Sequence, residues 1–265
     1  MSDTVLVTGA TAGLGTWLAR RLAAEGATVL AHGRDPGKVE HLTTELGGQA
    51  HGFVADLASL ADTRRLAGEV AARGDLTVLV NNAAVGFGAP GAPRETSADG
   101  HELRWAVNYL APVLLARELL PLLIANAPAR IVNVGSLGQV PIDFDDLEMA
   151  GNYDGVNAYR RAKLALAAHT FDLAEDVKGT GVTVTCIHPA TFMDTGMVRA
   201  YGAAPLSTVD EGGEALLALV TGPRHAATSG EFFDGLRPAR AHPDAYDEAV
   251  RRRLRAVTEA QLTNQ

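Results

Sequence analysis

Thr4-Val5-Leu6-Val7-Thr8-Gly9-Ala10-Thr11-Ala12-Gly13-Leu14-Gly15 runs from an apolar, β-branched stretch into a glycine-rich turn. Helix-period residues follow at Trp17, Leu18 and Leu22, and Gly26 closes that helix. Glycines between a strand and a helix allow a tight turn, close approach of the backbone to a pyrophosphate, and close packing of helix on strand. The helix N-terminus adds unpaired N–H groups and the positive end of a dipole. Three glycines alone also suit a plain structural turn. In a strand–turn–helix context they favour nucleotide binding.

Outward from this stretch the same alternation recurs. Strands are expected at Thr28–Ala31, His51–Ala55, Leu76–Val80, Arg130–Val134 and Val182–Ile187. Helices are expected at Leu60–Ala72, His101–Ala125 and Asn157–Val177. Near-continuous apolar strands separated by helices predict an α/β fold with a doubly wound parallel sheet covered by helices on both faces. No repeat, low-complexity segment or linker divides residues 1–265, so one domain is expected. Gly135–Gly155 breaks the rhythm. It carries Asp143, Asp145, Asp146, Glu148 and Asp154 with no Lys or Arg, and reads as a long loop at the carboxyl edge of the sheet, where ligands bind in such folds. These carboxylates either disfavour polyanionic substrates or form a solvated loop with no say in selection.

The 265 residues hold 23 Lys+Arg against 31 Asp+Glu, a formal charge of −8 that argues against a nucleic-acid partner. One cysteine, Cys186, forms no internal disulfide. It lies in an apolar run and reads as a small buried side chain. The start Met1-Ser2-Asp3 lacks a basic n-region. The most apolar stretch, Tyr109–Pro128, carries Arg117, Glu118 and three prolines, so it does not read as a membrane span. A cytoplasmic chain with no membrane partner is expected. The eight histidines show no HxH or HExxH spacing, so no metal site is expected. Arg251, Arg252, Arg253 and Arg255 read as a solvated face of a C-terminal helix, salt-bridged to Asp247, Glu248 and Glu259. Trp105 and Tyr109 share a helical face, as core or subunit contact.

An NAD site usually has an acid about twenty residues after the glycine turn, holding the ribose 2′-hydroxyl. Here the second strand ends Ala31-His32-Gly33-Arg34-Asp35. Gly33 falls where that acid is sought and leaves the position open. The guanidinium of Arg34 suits a 2′-phosphate, which favours NADP(H) over NAD(H). The competing reading gives the ribose to Asp35 and leaves Arg34 solvated.

Ser136 follows the strand ending at Val134. Tyr159 and Lys163 lie at i and i+4 on one helical face. An ammonium one turn from a phenol favours the phenolate, so Tyr159 could exchange a proton with a substrate oxygen near neutral pH. Such a pair is common by chance. Its place after a glycine turn and a strand-end serine gives it weight.

With Thr8–Gly15, Asp56-Leu57, Asn81–Ala84, Asn108, Ser136, Tyr159–Lys163 and His188-Pro189, the chain resembles the short-chain dehydrogenase/reductase family, a Rossmann fold, over nearly its whole length. The resemblance implies a catalytic tetrad of Asn108, Ser136, Tyr159 and Lys163. Tyr159 would be the acid/base and Ser136 a donor to the substrate oxygen. Lys163 would lower the phenol and bind the nicotinamide ribose, with Asn108 holding a water that links Lys163 to solvent. The cofactor would lie along Gly9, Thr11, Gly13, Leu14 and Gly15, with Asp56 and Leu57 at the adenine. Asn82, Ala83 and Ala84 would line its channel, and Pro189, Thr191, Phe192 and Thr195 would flank the nicotinamide. The implied reaction is hydride transfer between nicotinamide C4 and a carbonyl or carbinol carbon, the substrate being a small to medium molecule with a carbonyl or secondary alcohol.

Gly33-Arg34-Asp35, the long Ser136-to-Tyr159 interval and the ending Ser229-Gly230-Glu231-Phe232-Phe233-Asp234 are similar to the retinol-dehydrogenase-like branch, which mostly uses NADP(H). Many animal members of that branch have an N-terminal anchor. The first strand begins at Thr4, so membrane-bound retinoid work is not expected. The resemblance also implies a homo-oligomer built on the two long helices. Two family glycines are replaced, by Ala84 and Ala190. Substrate selection is assigned to loops near 138–157 and 193–207. Two rival functions use the same residues: a non-redox elimination or epimerisation, and a catalytically silent nucleotide-binding regulator.

Overall fold

The computed structural model of the chain describes residues 3–263. The strands β1 (Thr4–Val7), β2 (Thr28–Gly33), β3 (Ala50–Val54), β4 (Val78–Asn81), β5 (Ala129–Val134), β6 (Val182–His188), β7 (Glu231–Asp234) and β8 (Arg237–Ala239) form one sheet. Its order is β3-β2-β1-β4-β5-β6-β7-β8. All neighbours are parallel except β7 and β8, which close the edge as an antiparallel pair. Order reverses between β1 and β4, and a crevice opens at such a switch point.

Alternation along the strands builds the two cores. Val5 and Val7 point to one face, where they meet Leu14, Leu18 and Leu22 of α1 (Gly13–Ala24), Leu42 of α2 (Pro36–Leu46), and Leu216 and Val220 of α8 (Val209–Val220). Leu6 points to the other, toward α3 (Leu60–Ala71) and α5 (Ala111–Ala125). A third cluster joins α6 (Gly155–Asp176) to α9 (Glu248–Thr263).

Each expected element is present, with ends moved by at most two residues. The long helix begins at Leu103, because the Glu102 carboxylate accepts from Trp105 N–H (2.8 Å) and starts it there. Its first turns, α4 (Leu103–Trp105), pass through a π-helical turn at Ala106–Leu110 before α5. Segment 103–125 is long and apolar enough to cross a membrane (mean hydropathy 1.5), and 67% of its apolar 18-residue window is buried within this fold.

The remaining helices, α2, α7 (Gly196–Tyr201) and α8, lie where no sequence expectation stood. The arginines of α9 differ from their expected pairing. Arg251 and Arg255 reach Asp172 of α6, and Arg253 reaches Asp145, so only Arg252 pairs within its own helix, with Glu248. Trp105 and Tyr109 are core: their rings are 4.6 Å apart, and they bond Gln261 and Thr258 of α9.

Candidate active site

A cleft of about 770 Å³ runs along the carboxyl ends of β1, β2, β4, β5 and β6. One end is the glycine turn. Gly9 (φ +64°) and Gly13 (φ +49°) occupy the left-handed region that other residues avoid. A Cβ on Gly9 would lie 2.9 Å from Ala83 Cα, and one on Gly15 would lie 2.2 Å from Gly9 O. Backbone therefore packs where any side chain would intrude. Ala12, at the N-cap of α1, offers no side-chain acceptor and the first turn holds no acid, so its N–H groups are left for an anion in the cleft. A nucleotide diphosphate fits this cradle.

Its backing is polar and specific. His32 Nδ1 accepts from Gly9 N–H (3.2 Å) and its Nε2 meets Ala55 O (3.0 Å), which makes it the Nε2–H tautomer. Burial lowers its pKa and keeps it neutral. The Asn82 amide donates to Thr8 O (2.8 Å) and Gly9 O (3.3 Å), while Thr8 Oγ1 accepts from Asn82 and Ala83 N–H. Thr11, Leu14, Asp56, Leu57 and Ala84 line the cleft as expected, and so do Pro189, Thr191, Phe192 and Thr195. Phe192 adopts φ +44°, strained for a non-glycine, two residues after Ala190.

Arg34 lines the cleft and is exposed. Asp35 instead caps α2, accepting from Lys38 N–H (3.1 Å). The position at Gly33 is not open. A Cβ there would lie 2.6 Å from Thr11 Cγ2 and 2.9 Å from Val39 Cγ2. We expect Gly33→Asp to lower Tm and to weaken both cofactors, the overpacking costing roughly 1–3 kcal/mol. Thermal unfolding with and without each cofactor checks this. A variant as stable as the native protein that prefers NADH would show that the pocket can open.

The other end holds Ser136, Tyr159 and Lys163. Lys163 is buried, with Nζ donating to Val134 O (2.6 Å) and lying 5.6 Å from the Tyr159 ring centroid. Burial lowers its pKa to about 8. Burial also pushes the Tyr159 phenol up to about 12, and its hydrogen bond with Ser136 offsets only part of this. The phenol therefore stands above its ordinary value, not near neutral pH as expected. At neutral pH Tyr159 is a protonated acid. Phe87 packs edge-on to Tyr159 (4.6 Å) and to Tyr201 (4.9 Å), forming an aromatic wall that the sequence did not disclose.

Asn108 sits in the π-helical turn, and its neighbour Val107 lines the cleft. Its Oδ1 accepts from Val85 N–H (2.7 Å) and its Nδ2 donates to Val85 O (2.9 Å), so the side chain positions the loop after β4.

The acidic loop also differs. None of its five carboxylates lines the cleft, so the expected screen against polyanions has no basis at the site. Burial would raise the Glu148 carboxyl, but His101 (2.8 Å) and Glu102 N–H (2.6 Å) hold it below its usual range. Asp146 caps Ala150 and Gly151, Asp154 caps α6, Asp143 accepts from Asp145 N–H, and Asp145 pairs with Arg253. Of the two assigned substrate loops, only Gly138 from the first lines the cleft, against Met193, Thr195–Val198 and Ala200 from the second. Among the described residues no cluster of His, Cys, Asp and Glu could hold a metal ion.

A family model described as short chain dehydrogenase matches residues 3–205. The mouse protein Retinol dehydrogenase 13 is 36% identical over 274 residues, covering 95% of this chain and 81% of its own. Human Retinol dehydrogenase 12 is 32% identical, with 94% and 83% covered. Among solved structures, an uncharacterized Mycobacterium paratuberculosis protein superimposes with TM-score 0.82 at 27% identity, covering 98% of this chain and 93% of its own. The Pseudomonas aeruginosa RhlG/NADP active-site complex does so with TM-score 0.72 at 27% identity, covering 88% and 94%. With its glycine cradle, strand-end serine and Tyr–Lys pair, the chain belongs to the short-chain dehydrogenase family, in its retinol-dehydrogenase-like branch, as a nicotinamide-dependent oxidoreductase of alcohol and carbonyl groups.

Proposed function

We propose that the chain is an NADP(H)-preferring carbonyl reductase, with Tyr159 as the acid and Ser136 as the donor that orients the carbonyl. The observation that carries this reading is the buried Tyr159 beside Ser136 and Lys163, at the far end of a cleft that begins at the glycine cradle and Arg34. The bound nicotinamide supplies the hydride. Tyr159 gives its proton to the carbonyl oxygen as that oxygen gains negative charge, and becomes a phenolate. The Lys163 ammonium, within reach of the ring, stabilises that phenolate. Phe87, edge-on to the Tyr159 ring, covers one side of the proton donor.

The pH dependence follows from Lys163. Its pKa is lowered to about 8, so it is charged below that pH and neutral above it. Loss of the ammonium removes the stabilisation of the phenolate. Carbonyl reduction should therefore hold from neutral pH to about 8 and fall beyond it, and Lys163→Met should lower the rate and abolish that limb. Absorbance of NADPH over a panel of aldehydes and ketones, followed across pH, tests both statements. Cofactor binding with no oxidation by any carbonyl, in either direction, would overturn the reading.

A further inference from the structure

The cations lining the cleft differ in what holds them. Arg104 is 1% exposed. Its guanidinium is used by Gly86 O (3.0 Å), Glu95 and Glu102 (3.3 Å each). Lys163 is turned to Val134 O. Arg34 faces the cofactor end. Arg160 is exposed, lines the substrate end, and follows Tyr159 directly on α6. Among the described residues it has no hydrogen bond and no ion pair.

Gly138 shows where this guanidinium lies. A Cβ built on Gly138 would be 3.4 Å from Ser136 Oγ, 3.6 Å from Arg160 Cγ and 3.7 Å from Arg160 Nε. The Arg160 stem thus crosses bare backbone at the entrance, next to the hydroxyl that orients the carbonyl. The acids able to neutralise it are committed elsewhere: Glu95 to Arg104, and the carboxylates of 143–154 to caps, His101, Arg94 and Arg253. Leu137 (47% exposed) and Phe87 line the same end, the apolar part of this entrance.

We propose that Arg160 determines substrate class: the substrate is an oxo acid, or the matching hydroxy acid, whose carboxylate lies a few carbons from the reacting carbonyl and pairs with Arg160. Its apolar body lies against Leu137 and Phe87. This rests on the carbonyl-reductase reading and names the substrate class within it. A carboxylate matches the guanidinium fork with two parallel hydrogen bonds, which a neutral ester cannot do.

The test uses 4-oxo-4-phenylbutanoate, whose carboxylate is separated from the ketone by two methylenes, and its methyl ester. Each is titrated onto the native protein loaded with NADP⁺, where no turnover occurs, and each is then offered with NADPH. The native protein should bind the acid roughly ten- to a hundredfold more tightly than the ester, by the strength of a hydrogen bond to charge. Salt should narrow that ratio. Arg160→Ala should collapse it, and Arg160→Lys should restore part of it, a cation without the fork. No measurable binding of the acid, a native ratio near one, or a ratio unchanged in Arg160→Ala overturns the proposal. Reduction of the ester in that case leaves the carbonyl-reductase reading standing. A ratio that collapses as expected while neither probe is reduced supports the anion subsite and counts against that reading instead.

Discussion

Tyr159→Phe is expected to lower turnover by roughly 10²–10⁴-fold, the contribution of a positioned general acid. The fold should be unaffected. The ring that packs on Phe87 is retained, and only the hydroxyl facing Ser136 is lost. Cofactor affinity should be close to native, so the loss appears in kcat. Stopped-flow absorbance under saturating NADPH, with thermal unfolding as control, makes the measurement. Near-normal turnover would remove Tyr159 from the proton transfer. Ser136 or an ordered solvent molecule would then have to supply the proton.

Arg34→Ala carries the second large effect. A 2′-phosphate is well solvated by water, so a protein site must replace that solvation with donors. A hydrogen bond to a charged group contributes roughly 1.5–3 kcal/mol, about one to two powers of ten in affinity. Native protein should bind NADPH at least about tenfold more tightly than NADH. The substitution should erase most of that ratio by weakening NADPH and sparing NADH. Asp35→Ala gives the contrast. Its carboxylate caps α2, so its loss should cost stability, roughly 0.5–2 kcal/mol, without changing cofactor choice. If native protein prefers NADH, or Asp35→Ala moves the ratio and Arg34→Ala does not, the phosphate assignment to Arg34 is wrong and the ribose contact passes to Asp35.

What was legible in the chain was what local chemistry dictates. Gly9, Gly13 and Gly15 announce a turn with no room for side chains, and the structure shows backbone within contact of each missing Cβ or a positive φ there. Tyr159 and Lys163 share a face because α6 has a period near four. What stayed hidden depends on chain brought in from elsewhere. Gly33 looks like an empty position, yet Thr11 and Val39 fill it from the glycine turn and α2. The acidic loop looks like a charged rim, but its carboxylates find His101, Arg94 and Arg253 across the fold. The tautomer and neutrality of His32 follow from Gly9 and Ala55, more than twenty residues away on either side. Two helices did carry local signals that periodicity alone overlooked: Asp35-Pro36 at the start of α2, and the Thr208/Glu211 capping box of α8.

The clamp between α9 and the π-helical turn has a consequence for synthesis. Thr258 and Gln261 bond Tyr109 and Trp105, Leu262 O accepts from Arg64, and Glu259 pairs with Arg117. Those contacts steady the segment whose Asn108 holds the loop at Val85, and hence the cleft wall. Ribosomes make these clamping residues after every residue that touches the nicotinamide end. A nascent chain can therefore complete its sheet, and its glycine cradle, while the wall opposite still lacks its brace.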